Sequence, residues 1–87
     1  VFSSLSFLNV QIDEKKLRKI VEQLFASTEA GQVLRVKGFW QQDGQWMELN
    51  ATSRSMTVGP VPAGQQVLIV IGENLSRDVI SGMIEGE

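Results

Sequence analysis

The chain has 87 residues, enough for one small domain and too few for two. Ten acidic residues against eight basic ones leave a formal charge of −2, which excludes the usual strongly basic, electrostatic nucleic-acid binder. Cys and His are both absent, which excludes disulfides, thiol chemistry, Cys- or His-based zinc sites and any acid–base scheme that needs imidazole.

Residues 2–10 are rich in Phe, Leu, Val and Ser and read as a strand. Leu5 and Phe7 share one face and Leu8 and Val10 the other, so a bulge or two covered faces is expected. Asp13 then stands as a helix N-cap, its carboxylate placed to accept from free amides of the first turn. Ile12 and Leu17 have hydrophobic-staple spacing. Leu17, Ile20, Val21, Leu24 and Phe25 repeat at the spacing of one apolar helical face, and Glu14 can pair with Arg18 one turn on. The helix is expected to stop within 27–31, with Gly31 in a left-handed conformation.

Residues 33–40 read as the next strand, and Asp43-Gly44 is a type I′ hairpin signal. A two-residue loop there sets Gln42 opposite Gln45, Trp40 opposite Met47 and Val36 opposite Ala51. In that register Leu34, Val36, Gly38 and Trp40 share a face with Met47, Leu49 and Ala51. Arg35, Lys37, Phe39, Trp46 and Glu48 take the other, and a one-residue slip would bury charges. Residues 54–58 suggest a further short strand and 59–64 a loop. The five aliphatic residues 67–71 read as a central strand covered on both faces and ended by Gly72. Ser76 caps a last helix over 76–84, with Leu75 and Ile80 at staple spacing and a stripe of Val79, Ile80, Met83 and Ile84. Gly82 inside it costs about 1 kcal/mol against Ala. The expected fold is α+β: a mainly antiparallel sheet of four to five strands with two helices on one face, in the order β-α-β-β-β-β-α.

Few residues suggest chemistry. Gly59 and Gly64 have Walker A spacing, but Gln65 and Gln66 stand where that motif needs Lys and Ser/Thr, so a connecting loop is expected. Carboxylates such as Asp13, Glu14, Glu22, Glu48 and Asp78 are scattered over caps and helix surfaces, without the close pairing that acid–base chemistry or a hard cation needs. Lys15, Lys16, Arg18 and Lys19 are interleaved with Glu14 and Glu22, as on a solvated helix face. Arg35, Lys37, Phe39 and Trp46 form the most informative group. Two cations and two aromatics on one sheet face suit packing beneath the helices with snorkelling tips. They also suit a protein or interdomain contact and, less well, stacking of single-stranded bases. The last lacks an RNP-type aromatic sequence.

The segment 31–39, Gly-Gln-Val-Leu-Arg-Val-Lys-Gly-Phe, resembles the "G-x-[VIL]-x-R-x-K-G-[FIL]" signature of the C-terminal domain of CobW-type proteins. The opening Ser/Phe-rich strand and amphipathic helix, the Trp-bearing strand around Trp46, and the apolar strand running into Gly72-Glu73-Asn74-Leu75 fall in that family's order. The resemblance covers essentially the whole chain. It implies a C-terminal accessory domain of a P-loop GTPase metallochaperone linked to cobalamin synthesis or metal handling. Its partners would be the N-terminal GTPase domain and a client metalloprotein. The Walker motifs and Cys-rich metal motif of such proteins are not in this sequence, and the segment between the signature and the apolar strand is short. The resemblance therefore transfers no catalytic, cofactor-binding or metal-binding role to any residue here, and Arg35, Lys37, Phe39 and Trp46 are expected at an interface. Since the chain begins at Val1 and directly with strand-like residues, it reads as one domain, 1–87, cut from a longer protein. Without a signal peptide or a membrane-length apolar run, the expected location is the cytoplasm and no membrane contact is expected. The alternative function is a small single-stranded nucleic-acid-binding sheet domain.

Overall fold

The computed structural model describes residues 1–86. The elements in chain order are β1 (Phe2–Leu8), α1 (Glu14–Ala26), β2 (Gln32–Gln42), β3 (Gln45–Ala51), β4 (Met56–Pro60), β5 (Val67–Glu73) and α2 (Arg77–Gly86). The strands join in one five-stranded sheet of order β1-β5-β2-β3-β4, with every neighbouring pair antiparallel. The last strand of the chain thus fills the slot between β1 and β2. This is the α+β fold and element order expected from the sequence.

Asp13 caps α1 as expected: the Lys16 amide donates to its Oδ1 at 2.8 Å. Leu17, Ile20, Val21 and Leu24 are buried on one side of α1, with Phe25 half-buried beside them. Each such side chain contributes about 1.5–3 kcal/mol by leaving water. The helix ends at Ser27, within the expected stretch. Ser27 is extended (φ −87, ψ 135), and its hydroxyl accepts from the amides of Glu29 and Ala30, both at 3.1 Å. Gly31 stands beyond the helix end, just before β2, at φ 101, where any side chain would run into the Asn74 carbonyl.

The β2–β3 hairpin has the expected register, with Gln42 opposite Gln45, Trp40 opposite Met47 and Val36 opposite Ala51. Asp43 (φ 52) and Gly44 (φ 80) both take the left-handed conformation that the tight turn requires. Val36, Gly38, Trp40, Leu49 and Ala51 are buried beneath the helices. Gly38 lets α1 approach, because a Cβ there would collide with the Leu17 side chain.

Leu34 departs from the expected alternation. Opposite β5, Val33 pairs with Gly72 but Arg35 pairs with Ile71, so β2 advances two residues for one. This bulge places Leu34 and Arg35 together on the side away from the helices, between buried Val33 and Val36. The irregularity expected in the first strand is therefore found in β2; β1 pairs residue by residue with β5. It ends at Leu8, with Asn9 at φ 57. The short strand lies at Met56–Pro60 rather than 54–58, so the loop starts only at Val61. Gly72 lies inside β5, which runs on to Glu73.

β5 has one helix-covered face rather than two. Leu68 and Val70 are in the core, whereas Ile69 and Ile71 on the opposite side are half-buried. In α2, the Val79 amide donates to the Ser76 hydroxyl at 3.3 Å, and Ile80 and Ile84 are buried against the same core as α1.

Candidate functional site

With both helices on one side of the sheet, the other side is left open. Strand parity and the β2 bulge bring to it Phe2, Ser4, Ser6 and Leu8 of β1, Ile69 and Ile71 of β5, Leu34, Arg35, Lys37 and Phe39 of β2, and Trp46 and Glu48 of β3. The four residues singled out in the sequence do share this face. They do not pack beneath the helices.

Their states differ. Arg35 is exposed, whereas Lys37, Phe39 and Trp46 are half-buried. Lys37 reaches diagonally across β2 and β3 to Glu48, with Nζ 3.8 Å from the carboxylate. Trp46 is sheltered by the chain after β4: a Cβ on Gly64 would touch its ring. That segment is held by the Val61 amide donating to the Trp46 carbonyl at 2.9 Å and by Gln45 Nε2 donating to the Val61 carbonyl at 3.0 Å. Among the described residues the ion pairs are Lys37–Glu48 and Glu14–Arg18, so Arg35 has no carboxylate partner.

Beside Arg35 the sheet is dished. Phe2, Leu34, Arg35, Thr52 and Ile71 line a shallow recess of about 340 Å³. Phe2 is 66% exposed and Leu34 36%. Sequence alternation missed this group because it sent Leu34 to the face opposite Arg35; the bulge moves it next to Arg35. Phe2 was read only as part of a strand, and nothing local in the sequence marks its partner residues on β2 and β5.

The helix cluster is solvated: Lys15, Arg18 and Lys19 are exposed, and Arg18 Nε donates to Glu14 at 2.9 Å. Among the described residues no group of three or more carboxylates comes together to hold a metal ion. No helix among them is long and apolar enough to cross a membrane. The open face offers apolar contact, one unpaired guanidinium at its rim, and a paired Lys37–Glu48 near its middle. Such a combination can serve as a protein contact, where Arg and aromatics are favoured anchors. A strand of phosphates would meet a face with Glu48 in its midst on a chain of net negative charge.

A family model described as the cobalamin synthesis protein cobW C-terminal domain matches residues 2–86. No curated protein matches the chain. Two solved structures are similar in fold: Zn(II)-bound YjiA GTPase from E. coli, with a TM-score of 0.69, and a Zn(II)-bound triple mutant of YjiA GTPase, with a TM-score of 0.68. Each is 20% identical in sequence, and each likeness covers 98% of this chain and 29% of the other. The chain therefore spans under a third of the length of the structures it resembles.

Proposed function

The chain belongs to the cobW C-terminal domain family, and from that premise we propose that it is a non-catalytic accessory module of a GTP-dependent metal-handling protein. The open sheet face docks on the GTPase domain of the same protein, with Arg35 and Phe39 as anchors and Lys37 and Trp46 beside them. One observation carries this reading: the helices cover one side of the sheet, and the other presents an apolar surface with an unpaired guanidinium at its rim. Its likeness to less than a third of a GTPase chain supports a role beside a larger catalytic unit. In this reading GTP hydrolysis and metal binding belong to that other unit, and this domain holds no cofactor. The protein works in the cytoplasm and serves cobalamin synthesis or another metal pathway.

The test is binding of the 87-residue chain, added in trans, to the matching GTPase domain, with and without GTP and metal. Arg35→Glu and Phe39→Ala are each expected to weaken binding about tenfold or more, as truncated anchors do. Lys15→Glu, on the helix side, is expected to leave it unchanged. Binding indifferent to Arg35 and Phe39, or none in any nucleotide state, would overturn the assignment of this face. Binding of a client metalloprotein to the same residues would instead make the face a client surface.

A further inference from the structure

The two edges of the sheet are built differently. β4 is short and ends in Pro60, which offers no amide to a further strand. β1 carries no such device. Its seven residues, Phe-Ser-Ser-Leu-Ser-Phe-Leu, include no charge and no proline, and they pair with β5 without a bulge. Its outer side is the end of the sheet, leaving one row of backbone donors and acceptors without a strand partner.

This edge is complementary to itself. Antiparallel pairing of two copies about Leu5 sets Leu5 opposite its symmetry mate, Ser4 opposite Ser6, Ser3 opposite Phe7 and Phe2 opposite Leu8. Residues so paired have the same parity and therefore lie on the same face. Phe2 and Leu8, 66% and 60% exposed on the open face, become directly opposed twice, once on each side of the axis. Directly opposed side chains are the unit of sheet stabilisation, and an aromatic–aliphatic pair is a favourable one. Because the strand is neutral, a two-fold axis through it sets no like charges against each other.

We propose that β1 pairs with β1 of a second copy of this chain in the register centred on Leu5, joining the two sheets into one of ten strands. The contact is small, one strand on each side, so the dimer is a weak one whose population follows concentration.

Sedimentation of the 87-residue chain over a concentration series reaching about 1 mM tests for the dimer. The double variant Ser4→Lys/Ser6→Lys places like charges opposite each other at two exposed positions and is expected to raise the dissociation constant about tenfold. Arg35→Glu, on the docking face but off this edge, is expected to leave it unchanged, which separates this proposal from the interdomain reading. The absence of Cys gives a clean background for a register test that does not depend on the lysine variant folding. Under mild oxidation, a mixture of Ser4→Cys and Ser6→Cys chains is expected to cross-link faster than either alone. A monomer throughout the series, a dimer indifferent to the double lysine variant, or no preference for the mixed cross-link would each overturn the proposal.

Discussion

Gly38 is where α1 rests directly on β2, because the Leu17 side chain occupies the space a Cβ would need. Gly38→Ala is therefore an overpacking substitution, expected to cost about 1–3 kcal/mol in urea denaturation. Combined with Leu17→Ala, it should cost less than the sum of the two single changes, because the second removes the group the first collides with. Strict additivity would mean that α1 does not sit on Gly38. The sequence shows Gly38 as a small residue on an apolar face and as part of a family signature, but not the helix residue that makes smallness necessary. Asp13, by contrast, was fully legible: a cap needs only its own first turn, and the bond to Lys16 lies within four residues.

At the level of elements, what reads correctly is what is locally determined. The Asp43-Gly44 turn fixes the β2–β3 register without help from the rest of the chain. The β2 bulge is not determined that way. It arises between β2 and β5, strands separated by two others in sequence, and alternation alone has no means of placing it. Its consequence is testable by substitution. Leu34→Lys puts an ammonium on the open face and is expected to change stability by less than about 0.5 kcal/mol, while Val33→Lys buries a charge and is expected to prevent folding. Thermal melts of the two variants distinguish this from regular alternation, in which the outcomes would be exchanged. The same reasoning covers the candidate site. Arg35, Lys37, Phe39 and Trp46 share a face because three lie on one strand and a tight turn carries the fourth. Phe2, Leu34 and Ile71 meet beside Arg35 through three strands that only the completed sheet brings together.

For the molecule as a whole, a single layer of helices on one sheet places its two indoles on opposite sides. Trp40 is 2% exposed beneath the helices, whereas Trp46 is half-buried on the open face. In the Trp40→Phe variant, acrylamide quenching thus reports on Trp46. Docking of a partner on the open face is expected to lower the quenching constant about twofold or more, and a partner on the helix side is expected to leave it unmoved. The α+β class and the element order were legible because helical and strand periodicities differ along the chain. The hairpin sorted residues into two faces, but which of them stays bare and how it is contoured were not legible.

The position of β5 governs when this fold can exist during synthesis. Emerging after every other strand, it supplies the hydrogen bonds that join β1 to β2. Until a ribosome has released it, β1 with α1 has no strand to pair with, and the β2–β3–β4 meander has an unfilled side. The nascent chain therefore holds a neutral, serine- and phenylalanine-rich strand without a partner while the segments from α1 to β4 are made. It closes that gap only when β5 leaves the exit tunnel.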